Sequence, residues 1–265
     1  MNRQTYENIP GWTQSHAKAF ASCRETYWHE HIAKTWPRKP STPEQLFGMD
    51  VETFLERGEL DLAIIPSGVL ASNGAKRGKA WTEWIKDQSS DLRIVKQHEA
   101  EAITTACDAI REQVAGHQFA ARILDDDIRW QQVVFGKCEY SGLDLKGMLD
   151  CLDAEAGTVW DVKTTSDASP DEFAKQVLRY RYHWQAAWYL ELACADEFFW
   201  IAIQSSPPYR VEVYECGHDW LTMARNQIRE VRLSYAEQMD RPGPWRNPSH
   251  GKIVPLFPPA WAWRG

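Results

Sequence analysis

The sequence predicts an α/β fold in which a central mixed β-sheet is flanked by helices and preceded by a helical N-terminal region. Three observations predict it: helical periodicity dominates the first 115 residues, strand-like segments follow from about 128 to 165, and a long helical stretch then leads into two further strands and a last helix. The first helix is expected at about 15–33. A second, at 43–57, follows Thr42-Pro43, with Gln45 completing a cap, and two more are expected at 76–88 and 98–115. Strands are expected at about 128–135, 141–152 and 157–165. The turn-like run Asp153-Ala154-Glu155-Ala156-Gly157 separates the last two, which therefore read as an antiparallel hairpin. Ser169-Pro170-Asp171-Glu172 places Ser at N-cap, Pro at N1 and Glu at N3, starting a helix that should run to about Cys194. Strands at 196–204 and 209–216 and a helix at 218–239 complete the pattern.

From Asp240 onward, prolines exclude regular structure, while Trp245, Trp261 and Trp263 are too apolar for a free tail. That segment should pack on the body or on a neighbouring subunit. The whole chain, 1–265, reads as one domain, with a helical part at about 1–125, a core at about 126–239 and the Pro/Trp-rich segment at 240–265. No run approaches 18 apolar residues and Met1 to Pro10 lacks the layout of a signal peptide, so a soluble, cytoplasmic protein with no membrane partner is expected. Six cysteines without C-x-x-C pairs argue against a disulfide framework or a structural zinc site.

The chemistry concentrates in Gly147-Met148-Leu149-Asp150 and Asp161-Val162-Lys163. In a strand, residues i and i+2 share a face, so Asp161 and Lys163 project together while Val162 points into the core. The hairpin can bring Asp150 alongside them. Two hard oxygen ligands leave positions on Mg²⁺ open for water and a phosphate oxygen, and a neighbouring lysine favours the nucleophilic form of water and offsets charge in the transition state. Alone, an acid-x-lysine triplet is weak evidence and is better explained by a solvated salt-bridge strand. The flanking sequence adds weight: Lys175 and Arg179 fall one turn apart on the following helix, as do Gln185 and Tyr189. By position, Gln185 is either a polar residue on a half-buried helix or a group that touches the site.

Asp161-Val162-Lys163-Thr164-Thr165, followed by Tyr180-Arg181-Tyr182-His183-Trp184-Gln185-Ala186-Ala187-Trp188-Tyr189, resembles the core signature of the PD-(D/E)XK nuclease superfamily. More narrowly it is similar to the exonuclease VIII (RecE-type) branch, with its G-x-x-D strand, D-x-K-T-T strand and Q-x-x-x-Y helix. Ser15-His16-Ala17-Lys18-Ala19-Phe20, Pro43 to Leu55 and the Gly68 to Trp81 region follow the family's order, extending the resemblance over about residues 10–192. The resemblance implies a restriction-endonuclease-like core and a Mg²⁺-dependent deoxyribonuclease, with Mn²⁺ as a possible substitute. Asp150 and Asp161 would hold the metal with the Val162 carbonyl, Lys163 would activate water, and Gln185 and Tyr189 would organise the site. Where the family usually has histidine in G-x-x-x-H, this chain has Gly48-Met49-Asp50-Val51-Glu52, so that ligand role carries over to Glu52. Gln131-Gln132 stands where relatives often show a glutamate, which leaves three acidic ligands at most. Some relatives bind an iron–sulfur cluster through clustered downstream cysteines; with only Cys194 and Cys216 downstream, no cluster is expected.

A net charge of −7 requires a DNA enzyme to gather positive charge locally. Thr164, Thr165, Lys175, Arg179, Lys76 and Arg77 are the candidate DNA contacts, and Arg225, Arg229 and Arg232 repeat at helical spacing further on. The family implies a ring-shaped homo-oligomer around linear double-stranded DNA with free ends, digestion from 5′ to 3′ in recombination, and a single-strand annealing partner. An endonuclease on the same core, or a DNA-binding subunit without turnover, remains open. Fourteen tryptophans could stack on unpaired bases, but Trp160, Trp184 and Trp188 fit core packing at their periodicities.

Overall fold

The computed structural model of the chain describes residues 3–37, 39–89 and 92–255. Helices α1 (Arg3–Asn8), α2 (Gln14–Ser22) and α3 (Arg24–Tyr27) lead into a π-helical turn at Trp28–Ile32. The single helix expected over 15–33 is thus broken at Cys23, whose backbone is extended and whose Sγ accepts the Thr26 N–H. The cause lies far along the chain. Asn247 accepts the Arg24 N–H at 2.7 Å and donates to Cys23 Sγ at 3.5 Å, so the C-terminal segment supplies the partners that an unbroken helix would have supplied itself. Trp245 of that segment is buried among Phe20, Tyr27 and Tyr235, in line with the expected packing on the body; Trp261 and Trp263 lie outside the described residues.

Helix α4 (Pro43–Arg57) carries the expected capping box between Thr42 and Gln45. Two strands that the sequence reading lacked follow it. β1 (Leu62–Ile64) and β2 (Arg93–Val95) pair in parallel, separated by α5 (Lys79–Lys86), and three residues each is too short a run for strand alternation to register. Helix α6 (Gln97–Gly116) and a 3₁₀ turn at Ala120–Leu124 end the N-terminal region.

The main sheet is the predicted mixed one. β3 (Arg129–Lys137), β4 (Asp144–Asp153) and β5 (Thr158–Thr165) form an antiparallel meander; β6 (Glu197–Gln204) joins β5 in parallel, and β7 (Val211–Glu215) closes the sheet antiparallel to β6. The crossover from β5 to β6 is helical, as a parallel pair requires. It is two helices rather than the one expected: α7 (Pro170–Arg179) and α8 (Tyr182–Ala193) meet at Arg181, which is left-handed at φ 54°. The bend has a packing reason. α7 exposes most of its outer surface, whereas α8 is buried from His183 through Leu190 and must turn inward across the sheet. Ser169 stands at the N-cap of α7 with Pro170 at N1, but its hydroxyl makes no cap bond, so the expected capping box is absent; instead Asp167 Oδ1 accepts the Ser169 N–H at 2.8 Å.

A core lies on each face of the sheet. On one side α2, α8 and α9 (His218–Met239) enclose Phe20, Leu145, Leu149, Val159, Trp188 and Trp200. On the other, α4 and α6 pack Val51, Leu55, Ile110 and Val114 against Trp160, Val162, Ile201 and Ile203. Val159 belongs to one core and Trp160 and Val162 to the other, so β5 alternates as its period demands. Each such side chain contributes roughly 1.5–3 kcal/mol on burial. Trp160, Trp184 and Trp188 are all core residues.

Candidate active site

The site forms where β4 loses its partners. Pairing between β4 and β5 runs from Asp153–Thr158 to Cys151–Trp160 and stops, although the register would next place Asp150 opposite Asp161. On the other edge the β3–β4 ladder skips the Gln131–Asp150 position, where Gln131 adopts φ 48°. Residue 150 is therefore freed on both sides, and its carboxylate replaces a backbone acceptor: Asp150 Oδ2 takes the Val162 N–H at 3.0 Å. This splay opens the sheet at the two aspartates predicted to work together. Lys163 lies on the same face as Asp161 and forms an ion pair with its Oδ2, while the Lys163 ammonium also donates to the Val162 carbonyl at 3.3 Å.

Helix α8 closes the site from above. Gln185 donates through Nε2 to Asp161 Oδ1 at 2.5 Å, so the interaction with the site is the one realised. One turn on, the Tyr189 ring lies against Gly147, where an added Cβ would stand 2.9 Å from Tyr189 Cε1. The glycine of the G-x-x-D strand is thus the surface on which the Q-x-x-x-Y helix rests, and Trp188 Nε1 reinforces the contact by donating to the Lys146 carbonyl at 3.2 Å. Gly147→Ala is expected to cost about 1–3 kcal/mol through overpacking, measured by chemical denaturation. A stability unchanged from wild type would show that α8 does not depend on this contact.

Asp161 is fully buried, and its Oδ2 pairs directly with the Lys163 ammonium. Burial, then the charges of Asp161 and Glu52, hold the Asp150 carboxyl well above the ordinary carboxylate range. Burial alone would lower Lys163, but the Asp161 and Asp150 carboxylates outweigh it and keep the ammonium protonated above its ordinary range. Buried carboxylates that repel one another fit a hard dication, whose charge would relieve both. Among the described residues no group of three or more His, Cys, Asp or Glu side chains is close enough to hold an ion. Glu52, half-buried on α4, adds its charge to Asp150 without completing a closed cage. The two carboxylates supply hard oxygen donors of the kind a divalent ion takes.

The other predicted residues are spread more widely. Thr164 packs under α4, where a Cβ on Gly48 would stand 3.0 Å from its Oγ1, which explains a glycine at that helix position. Thr165 is buried and its hydroxyl is committed internally, accepting from Gln176 Nε2 at 2.6 Å and donating to the Asp167 carbonyl at 2.9 Å. Lys175 is exposed on α7 and paired with Glu172, and the Arg179 guanidinium lies over the Tyr180 ring. Lys76 and Arg77 are exposed in the loop before α5, with Lys76 donating to the Ile94 carbonyl on β2. Sequence reasoning missed the part-buried ion pair between Asp50 and Arg93, which joins α4 to β2. It also gave no role to Lys18 or Tyr182, whose side chains stand beside Lys163; only their place in the motif pattern signalled them.

A candidate exonuclease from Eubacterium rectale has a crystal structure that superposes with a TM-score of 0.62 over 98% of this chain and 96% of that one, at 14% identity. At that identity the likeness is one of fold. A phage-related exonuclease from Haemophilus somnus matches 51% of this chain and 71% of its own, at 12% identity and a TM-score of 0.35. No curated protein matches the chain. Residues 13–242, which include the splayed aspartates, Lys163 and the α8 pair, match the family described as a PDDEXK-like domain of unknown function (DUF3799), and the chain belongs to that family.

Proposed function

We propose that the protein is a Mg²⁺-dependent deoxyribonuclease that digests linear double-stranded DNA from its ends, 5′ to 3′, in recombination or repair. The observation that best supports this is the meeting of Asp150, Asp161 and Lys163 at the point where β4 and β5 part. Asp150 and Asp161 would hold the ion, aided by Glu52 and the Val162 carbonyl, and Mn²⁺ would substitute. When bound, the ion polarises the phosphodiester and makes water a stronger nucleophile. Lys163, kept charged by its two carboxylates, acts as an electrostatic partner of the attacking water and of the charge that builds on phosphorus. Gln185 fixes the orientation of Asp161, and Tyr189 sets the depth of α8 over Gly147. Lys175, Arg179, Lys76 and Arg77 are the proposed outer DNA contacts. A ring-shaped assembly of copies, working with a single-strand annealing protein, would concentrate them around the duplex despite the acidic whole.

End-labelled linear duplex and a covalently closed circle, each incubated with Mg²⁺ or Mn²⁺, test the reading. Digestion of the linear duplex with an intact circle is expected. Cleavage of the circle would make the protein an endonuclease, and DNA binding without cleavage of either substrate would make it a binding subunit.

A further inference from the structure

Lys163 is not the only ammonium at the splay. Lys18, on α2, places its Nζ 5.7 Å from the centroid of the Tyr182 ring, and Lys163 places its own 5.2 Å from the same centroid. Ala17 and Phe20 on either side are fixed in the core, so α2 has little freedom to move Lys18 away. Arg181 adds a second restraint: its left-handed backbone turns the side chain back onto α2, where Nη1 donates to the Lys18 carbonyl at 3.1 Å while the guanidinium stacks over Trp184. Among the described residues, no carboxylate lies within ion-pair distance of the Lys18 ammonium, and Asp161 acts on it only from further off. Burial, with Lys163 and Arg181 nearby, lowers its pKa to about 7. A cation held among like charges without an acidic partner is a local cost in the free protein. An anion arriving between α2 and α8 would remove that cost, whereas the carboxylates of this site already have Lys163.

Resting on the nuclease reading above, we infer that Lys18 is a substrate-binding residue that takes a phosphate of the cleaved strand, on the α2 side of Tyr182, while Lys163 serves the reacting phosphate. Both ammonium groups lie over the Tyr182 ring, whose π-density softens their desolvation. Lys18 then belongs to the electrostatic footprint that an acidic chain must assemble locally.

The test is duplex binding without turnover. A fluorescein-labelled linear duplex is titrated with the full-length protein in Ca²⁺, at several salt concentrations, for wild type, Lys18→Met and Lys18→Arg. Lys18→Met should weaken binding about five- to tenfold and reduce the slope of log affinity against log salt by about one unit, the mark of one lost phosphate contact. Lys18→Arg should restore both. The melting temperature of Lys18→Met should equal or exceed that of wild type, since a half-buried charge is replaced by an apolar chain of similar length. Unchanged affinity and slope in Lys18→Met, with wild type still binding and cleaving DNA, would overturn the inference and leave the nuclease reading standing. A wild type that neither binds nor cleaves duplex DNA would remove both.

Discussion

Lys163→Ala is expected to lower Mg²⁺-dependent DNA cleavage by about 10²–10³-fold, the scale on which a single preorganised charge-stabilising group acts, and Asp161→Ala is expected to take it to background. Both follow from the same geometry. Lys163 pairs with Asp161 at the point where the strands separate, and its carboxylate neighbours raise its pKa above the ordinary range in the metal-free protein. Removing it leaves Asp161 and Asp150 buried without their cation, so the variant carries a structural burden as well. The fold should survive, because the cores on the two sides of β5 are built from Val159, Trp160 and Val162 rather than from the ion pair. Mg²⁺ should therefore raise the melting temperature of Lys163→Ala more than that of wild type, since the ion alone then answers the carboxylates. Digestion of end-labelled duplex and thermal melting with and without metal measure the two effects. Cleavage at the wild-type rate in either variant would refute the assignment of the site.

The central part of the site was legible in the sequence because local rules write it there. The i, i+2 spacing of Asp161 and Lys163 and the turn before β5 are short-range facts, and the structure agrees with both. The spacing of Gln185 and Tyr189 was equally visible, yet the reason for it was not: Tyr189 needs the bare backbone of Gly147, a contact between elements 42 positions apart in numbering that no periodicity encodes. The two left-handed residues that shape the site, Gln131 and Arg181, are neither glycine nor asparagine, so no turn signal marks them. Tertiary packing imposes each at a cost of order 1–3 kcal/mol. One unpairs β4 at residue 150, and the other turns α8 across the sheet. The break at Cys23 is likewise written by Asn247, more than 200 positions away. What sequence patterns missed, then, were the places where distant segments override local preference, and several of these border the proposed chemistry.

Asp150→Asn is expected to stabilise the metal-free protein at neutral pH while abolishing cleavage. The carboxyl of Asp150 is held above the ordinary carboxylate range by burial, by Asp161 and by Glu52, so its charged form is disfavoured in the folded state relative to the unfolded chain. That penalty is fully present above the folded pKa and absent below the unfolded value, ~3.9, where the carboxyl is protonated in both states. Asparagine is isosteric, its amide oxygen can still accept the Val162 N–H, and its NH₂ offers Asp161 a donor in place of a repelling charge. The gain should be on the order of 1–2 kcal/mol at pH 7, several degrees in melting temperature, and it should shrink towards zero as the pH falls below about 4. Added Mg²⁺ should reverse the order, stabilising wild type but not the variant, because a neutral amide is a poorer ligand for a hard dication. Thermal melts of the two proteins across pH, with and without metal, would show this crossing. A variant less stable than wild type in the absence of metal would mean that Asp150 is placed to hold the fold together, and the case for a pair of carboxylates kept under strain for an incoming ion would fail with it.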